Sequence, residues 1–396
     1  MQSFEFHNPT KVVFGPGRLP ELGREVAALG TRALLVTGKG HVHTSGTYDV
    51  AAGSLAAAGV RCVDLSGVDP NPRLESVLQG AALIRQHDLQ VVVALGGGSV
   101  MDAAKVMAAV PFYEGDPWDM ILRGPGQQRL PDRALPIVTV PTLAATGSEM
   151  NGGAVISRPE RREKSHVIAP CLFPAVALVD PQLTLSVPAD QTAFGCVDMI
   201  SHVTETYFNC ADRAPLQDRI REGVVLTAME VTPGLLERPD DVDARAIFQW
   251  NSIVALNGWA RAGAGGPYPV HALEHVVSAH HDIAHGAGLA ILTPAWMRAS
   301  APNNTARLVQ FARRIFGIEA AGPQDLDAAL AGVAAFERFV ESIDAPTRLA
   351  QVGVHEPDLE AMADDTIRVS GTAQGVLPGI PELSRDQLVE LLRGVC

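Results

Sequence analysis

The first half of the chain alternates short apolar runs with stretches of helical period. Residues 33–37 read as a strand ending at Gly38, 61–65 as a second, and 91–95, 137–140 and 175–179 as three more. Between them, 47–59, 74–87 and 99–110 carry the spacing of helices. The run VVVAL at 91–95 is apolar without alternation, as a strand covered on both faces must be. Strand and helix in turn predict a mostly parallel sheet with helices on both sides. After VDPQLTLSVP at 179–188 the texture changes, and from Ala189 onward the pattern is helical with no convincing strand. Pro181 and Pro188 punctuate the junction. The expected fold class is an α/β domain with a mostly parallel sheet over 1–185, followed by an all-helical domain over 186–396.

A length of 396 residues accommodates two such cores. The net charge of −13 argues against nucleic acid or an anionic membrane as a partner. Met1 to Thr10 lacks a basic region leading into an apolar run, and no stretch is long and apolar enough to span a bilayer. The five cysteines are odd in number and scattered, which fits a reduced, cytoplasmic setting.

Chemistry enters at two loops. The strand at 91–95 runs into Gly96-Gly97-Gly98-Ser99 and then a helix holding Asp102 and Lys105. A glycine turn between a parallel strand and a helix start lets backbone N–H groups approach an anion, so the segment predicts a pyrophosphate cradle. It is not the G-x-G-x-x-G pattern, because Met101 stands at the last glycine's place. The strand at 137–140 leads into PTLAATGSE, whose Thr142, Thr146, Gly147 and Ser148 offer hydroxyls and small groups to a nucleotide. The first strand ends in Gly38-Lys39, where dinucleotide sites often carry an acid that holds the ribose 2′-hydroxyl. With no acid at that place and a lysine beside it, NADP(H) is expected in preference to NAD(H).

Five of the twelve histidines fall between His271 and His285: these two, His275, His280 and His281. Upstream, Asp198 and His202 stand four apart in a helical stretch, one turn along the same face. His271 and His275 repeat that spacing, and His285 precedes Gly286, where a new helix can begin. Three imidazoles and one carboxylate make a nitrogen–oxygen site suited to Zn²⁺ or Fe²⁺. The candidates outnumber four positions, so some of these histidines do other work.

Taken together, FEFHNPTKVVFGPG, GGGSVMDAAK, PTLAATGSE, VDPQLTLSVP, Asp198-x3-His202 and HALEH…HHDIAHG span essentially the whole chain. In that order they resemble the iron-containing (group III) alcohol dehydrogenases, and among them the NADPH-dependent butanol dehydrogenase and aldehyde reductase branch. The resemblance implies a nucleotide domain and a helical metal domain with a cleft between them. It implies Asp198, His202, His271 and His285 as the ligands of one divalent ion, Fe²⁺ or Zn²⁺, with His275 and His281 lining the substrate pocket. It further implies Gly97, Gly98 and Ser99 on the pyrophosphate, Thr142 and Ser148 nearby, Lys164 near the nucleotide, and a homodimer in which the N-terminal strand pairs across the interface. The loop reads LAATGSE where many relatives have a TAGTGSE-like segment, and His280 lies outside the usual pattern.

The expected activity is hydride transfer between NADP(H) and small aldehydes or primary alcohols, with His275, then His281, as the proton relay. An NAD-dependent polyol dehydrogenase, a dehydroquinate-synthase-like lyase and a non-catalytic binding protein are the rivals. The lyase needs several basic residues around the ion, and Arg261 is the obvious one in this stretch.

Overall fold

The computed structural model describes residues 1–210, 213–355 and 358–396. Six strands form one parallel sheet: β1 (Lys11–Phe14), β2 (Arg32–Gly38), β3 (Arg61–Val68), β4 (Val91–Gly96), β5 (Ile137–Pro141) and, after a hairpin, β8 (Val176–Val179). Their order is β1-β8-β5-β4-β2-β3. In register, Val93 of β4 lies between Leu35 of β2 and Val138 of β5. All six residues of β4 are buried, which is why its sequence shows no alternation.

Alternate strand residues feed two cores. Leu34, Val36, Val92 and Ala94 pack with α4 (Leu74–Gln86) and α5 (Gly98–Ala109). Ala33, Leu35, Val91 and Val93 pack with α1 (Leu22–Ala27) and α3 (Thr47–Ala57), the short α2 (His41–Thr44) lying between β2 and α3. The five strands and three helices expected from the first half are therefore present, each within a few residues of its predicted bounds.

Three features differ from the sequence reading. The edge strand β1 is only four residues long, too short to show a period. A separate antiparallel hairpin, β6 (Gly153–Arg158) and β7 (Glu163–Ile168), turns through Arg162 at φ 51°. It escapes detection because β7 buries Lys164 and Ser165, polar residues that break the apolar pattern. The second half also holds a two-residue ladder, β9 (Val376–Leu377) with β10 (Leu383–Ser384), so it is mostly rather than wholly helical.

Its helices are α6 (Ala189–Phe208), α7 (Pro215–Glu237), α8 (Val242–Leu256), α9 (Pro269–His281), α10 (His285–Ser300), α11 (Thr305–Phe316), α12 (Leu326–Ser342), α13 (Leu359–Ser370) and α14 (Arg385–Arg393). One apolar core joins them, and α6, buried along most of its length, runs through it. No helix among the described residues is long and apolar enough to cross a membrane.

Candidate active site

A cleft open to solvent runs between the α5 loop and the helices α6, α9 and α10. On the sheet side, α5 begins at Gly98 with extended Gly97 before it, so its first N–H groups face the cleft. Gly98 must be glycine, since a Cβ there would stand 2.6 Å from Thr146 Cγ2. Gly98, Ser99, Asp102, Thr146, Ser148 and Lys164 line the cleft. Gly97 lies just behind, and Thr142 is buried with its N–H donating to Gly96. Ser148 donates to Asp102 Oδ1 (2.6 Å), the Val155 N–H donates to Asp102 Oδ2 (2.8 Å), and Lys105 Nζ donates to Ser148 Oγ (2.7 Å). Burial pushes Lys105 down to about 8.

Gly38 ends β2 beside Val68 of β3, and Lys39 follows it. Lys39 is ion-paired with Asp69, which also pairs with Arg73 Nε at 3.3 Å. The acid that the sequence lacks at position 38 is thus present one strand over, a neighbour that only the fold reveals.

On the helical side, α6 presents Asp198 and His202, the first turn of α9 presents His271, and the first residue of α10 is His285. The Nε2 atoms of His202, His271 and His285 lie 3.4, 3.6 and 3.9 Å from Asp198 Oδ1. Asp198 Oδ1 and His271 Nε2 are buried and have no hydrogen-bond partner. Four tetrahedral donors with bonds of about 2.1 Å stand roughly 3.4 Å apart, so this spacing fits a divalent ion better than a hydrogen-bond network. The helix α10 approaches α6 at Gly286, where a Cβ would lie 2.6 Å from both Phe194 Cβ and Phe194 O.

Two buried glutamates, not singled out from the sequence, fix the ring orientations. Glu205 on α6 accepts from His271 Nδ1 with one oxygen, and from the Val270 N–H (2.6 Å) and His271 N–H (3.3 Å) with the other. Glu274 on α9 accepts from His285 Nδ1, from Ser278 Oγ and from Lys164 Nζ (3.4 Å). Each pairing puts the proton on Nδ1 and leaves the Nε2 lone pair facing Asp198. Both glutamates stand three residues after a candidate histidine, His202 and His271, and that repeated spacing is the signal that would have found them.

Electrostatics follow the same geometry. Burial opposes the charge on Asp198, but the surrounding imidazoles outweigh it and hold the carboxyl far below its usual range. Burial also opposes positive charge at His271, while the Glu205 and Asp198 carboxylates beside it favour it, a pull on positive charge that a bound cation would answer. His202 is pushed down to about 3, mainly by burial. A second group, Glu274, His275 and His285, lies alongside, with Glu274 and His285 already paired.

His275 lines the cleft, its ring 5.6 Å from that of His285, and burial with Lys164 nearby keeps it well below its ordinary value. His281 ends α9 beside His280, ring centroids 6.2 Å apart, and is not among the cleft-lining residues. His280 pairs with Asp365 at 2.9 Å, a structural contact. The hairpin adds His166, whose ring is 6.4 Å from His275 and which the sequence reading passed over.

Residues 9–181 match the iron-containing alcohol dehydrogenase family, and residues 192–396 match the C-terminal part of the Fe-containing alcohol dehydrogenase family. Probable NADH-dependent butanol dehydrogenase 1 of Bacillus subtilis is 39% identical, over 99% of both chains. NADPH-dependent aldehyde reductase YqhD of Escherichia coli is 34% identical, over 91% of this chain and 92% of its own length. The crystal structure of NADH-dependent butanol dehydrogenase A from Thermotoga maritima superposes with a TM-score of 0.94 at 38% identity, covering 100% of this chain and 99% of that one. The chain belongs to the iron-containing alcohol dehydrogenase family.

Proposed function

We propose that this enzyme reduces short-chain aldehydes and, in reverse, oxidises primary alcohols. In this reading NADP(H) carries the hydride, and Asp198, His202, His271 and His285 hold one divalent ion, Fe²⁺ or Zn²⁺. The convergence of three imidazole Nε2 atoms on Asp198 Oδ1, across one cleft from the α5 glycine loop, carries the reading. The ion, when bound, supplies Lewis acidity toward a carbonyl oxygen, and the nucleotide supplies hydride.

The chain's own share is binding, orientation and proton transfer. Residues 1–185 take the nucleotide: Gly97, Gly98 and Ser99 hold its phosphates at the start of α5, with Asp102, Thr142, Thr146, Ser148 and Lys164 around it. Residues 186–396 take the ion. His275, neutral by burial, receives a proton on one ring nitrogen while donating from the other, and it relays the proton to the substrate oxygen ahead of the more distant His281. The open edge of β1 and the exposed Phe4 and Phe6 before it favour a homodimer built through the N-terminal segment.

The test combines metal and turnover. Protein purified without oxygen is expected to carry an ion and to oxidise NADPH with butanal. Exhaustive chelation abolishes turnover, leaves calorimetric nucleotide binding in place, and is reversed by Fe²⁺ or Zn²⁺. Full activity after confirmed loss of metal overturns the reading.

Cofactor choice is read from the end of β2. Gly38 puts no acidic side chain at this place, and the Lys39 head group beside it is largely exposed, which suits a 2′-phosphate. Asp69 opposes that phosphate, both by its own charge and by engaging Lys39 and Arg73. Asp69→Asn is therefore expected to raise affinity for 2′,5′-ADP relative to ADP by roughly tenfold, about the effect of one partly solvated charge. Calorimetric titration of both nucleotides measures the ratio; an unchanged ratio removes Asp69 from the selectivity site.

A further inference from the structure

Charge on the cleft wall is sparse once paired groups are set aside. Asp102 is satisfied by Ser148 and the Val155 N–H, and Lys164 is paired with Glu274. Around them stand Ile168, Phe173, Leu256 and Tyr268, apolar or aromatic surfaces. Arg261 also lines the cleft, and among the described residues it has no carboxylate partner. Its guanidinium lies over the Tyr268 ring, 5.5 Å from the centroid. Tyr268 in turn meets the His271 ring edge-on at 5.7 Å.

Local backbone holds this arginine in place. Arg261 closes a short 3-10 turn (Trp259–Arg261), its N–H donating to Gly258 O and its carbonyl accepting from Ala264 N–H. Gly265 leaves room for the head group, since a Cβ there would stand 3.3 Å from Arg261 Nη2. The result is a guanidinium over the Tyr268 ring, with no carboxylate partner among the described residues, one aromatic ring beyond a metal-facing histidine. Such a fork binds a carboxylate through two parallel hydrogen bonds, and the cation–π contact with Tyr268 helps hold it for that contact.

We propose that the preferred substrates are short aldehydes bearing a terminal carboxylate, with Arg261 holding the carboxylate and the carbonyl placed at the Asp198–His202–His271–His285 cluster. The reaction is that of the proposed function, on which this inference rests: hydride and one proton add across C=O to give the hydroxy acid, NAD(P)H becomes NAD(P)⁺, and the carboxylate is unchanged.

Butanal and 4-oxobutanoate, equal in chain length, separate the tail from the reacting end. The unaltered enzyme is expected to show at least tenfold higher kcat/KM for 4-oxobutanoate, mostly through KM. Arg261→Leu should collapse that preference at least tenfold, and Arg261→Lys should restore part of it. A second readout needs no turnover: with reduced nucleotide present, where no hydride can move, 4-hydroxybutyrate should bind measurably by calorimetry, and Arg261→Leu should weaken that binding at least tenfold. Equal kcat/KM for the two aldehydes, or an Arg261→Leu variant that loses both in parallel, overturns the proposal. Failure of the unaltered enzyme to reduce either aldehyde counts instead against the parent function.

Discussion

Asp198→Ala is expected to give a folded protein that binds nucleotide normally, retains no stoichiometric divalent ion after dialysis, and reduces aldehydes at least ~10³-fold more slowly, a loss of roughly 4 kcal/mol in transition-state stabilisation. Asp198 Oδ1 is the point on which the Nε2 atoms of His202, His271 and His285 converge, and it supplies the negative charge among the four donors. Three neutral imidazoles without it keep their lone pairs but lose the strongest electrostatic attraction for a dication. The fold should survive because Asp198 caps no helix, and alanine removes a buried charge rather than creating one. Elemental analysis with parallel nucleotide titration decides the matter. A variant that keeps one tightly held ion and its turnover would show that the cluster is not the metal centre.

Glu205→Gln should weaken metal affinity about 10–100-fold, the range expected when a carboxylate that orients a ligating histidine is neutralised. The native carboxylate receives three N–H groups, from His271 Nδ1 and from the backbone of Val270 and His271. A glutamine fills the same volume but must turn an NH₂ toward one of those donors, so His271 loses its fixed tautomer or α9 loses the anchor of its first turn. Competition with a chromogenic chelator measures the loss, while nucleotide affinity serves as the control for folding. An unchanged metal affinity would reduce Glu205 to a helix anchor. Glu274 has a wider role, because it joins His285 on the ion side to Lys164 on the hairpin.

The strands of the sheet and the ligand spacing were legible because both are local patterns. Alternating strand and helix marked the six-residue β4 and its glycine turn, and the four-residue step from Asp198 to His202 marked one helix face. Pairings between distant segments were not legible. Nothing around Lys39 announces that Asp69 will neutralise it, since the two meet only when β2 and β3 align. Glu205 and Glu274 look like ordinary helix acids until α9 and α10 are packed against α6. The hairpin carrying Lys164 and His166 was hidden because its buried positions mix polar Ser157, Lys164 and Ser165 with apolar Ala154, Ile156 and Val167, Lys164 being received by Glu274. His280, prominent in the sequence cluster, is explained by Asp365, eighty-five residues away.

Gly286 extends the argument from donors to clearances. His285 reaches Asp198 because the next residue lets α10 rest directly on the Phe194 backbone, with a hydrogen atom where any other amino acid brings a methyl group or more. The distance between two ligand-bearing helices is therefore set by the smallest side chain available. Drift at this position has no small step: the first added carbon already displaces a donor, whereas the cleft rim around Arg261 can change residue by residue and leave the donor spacing intact.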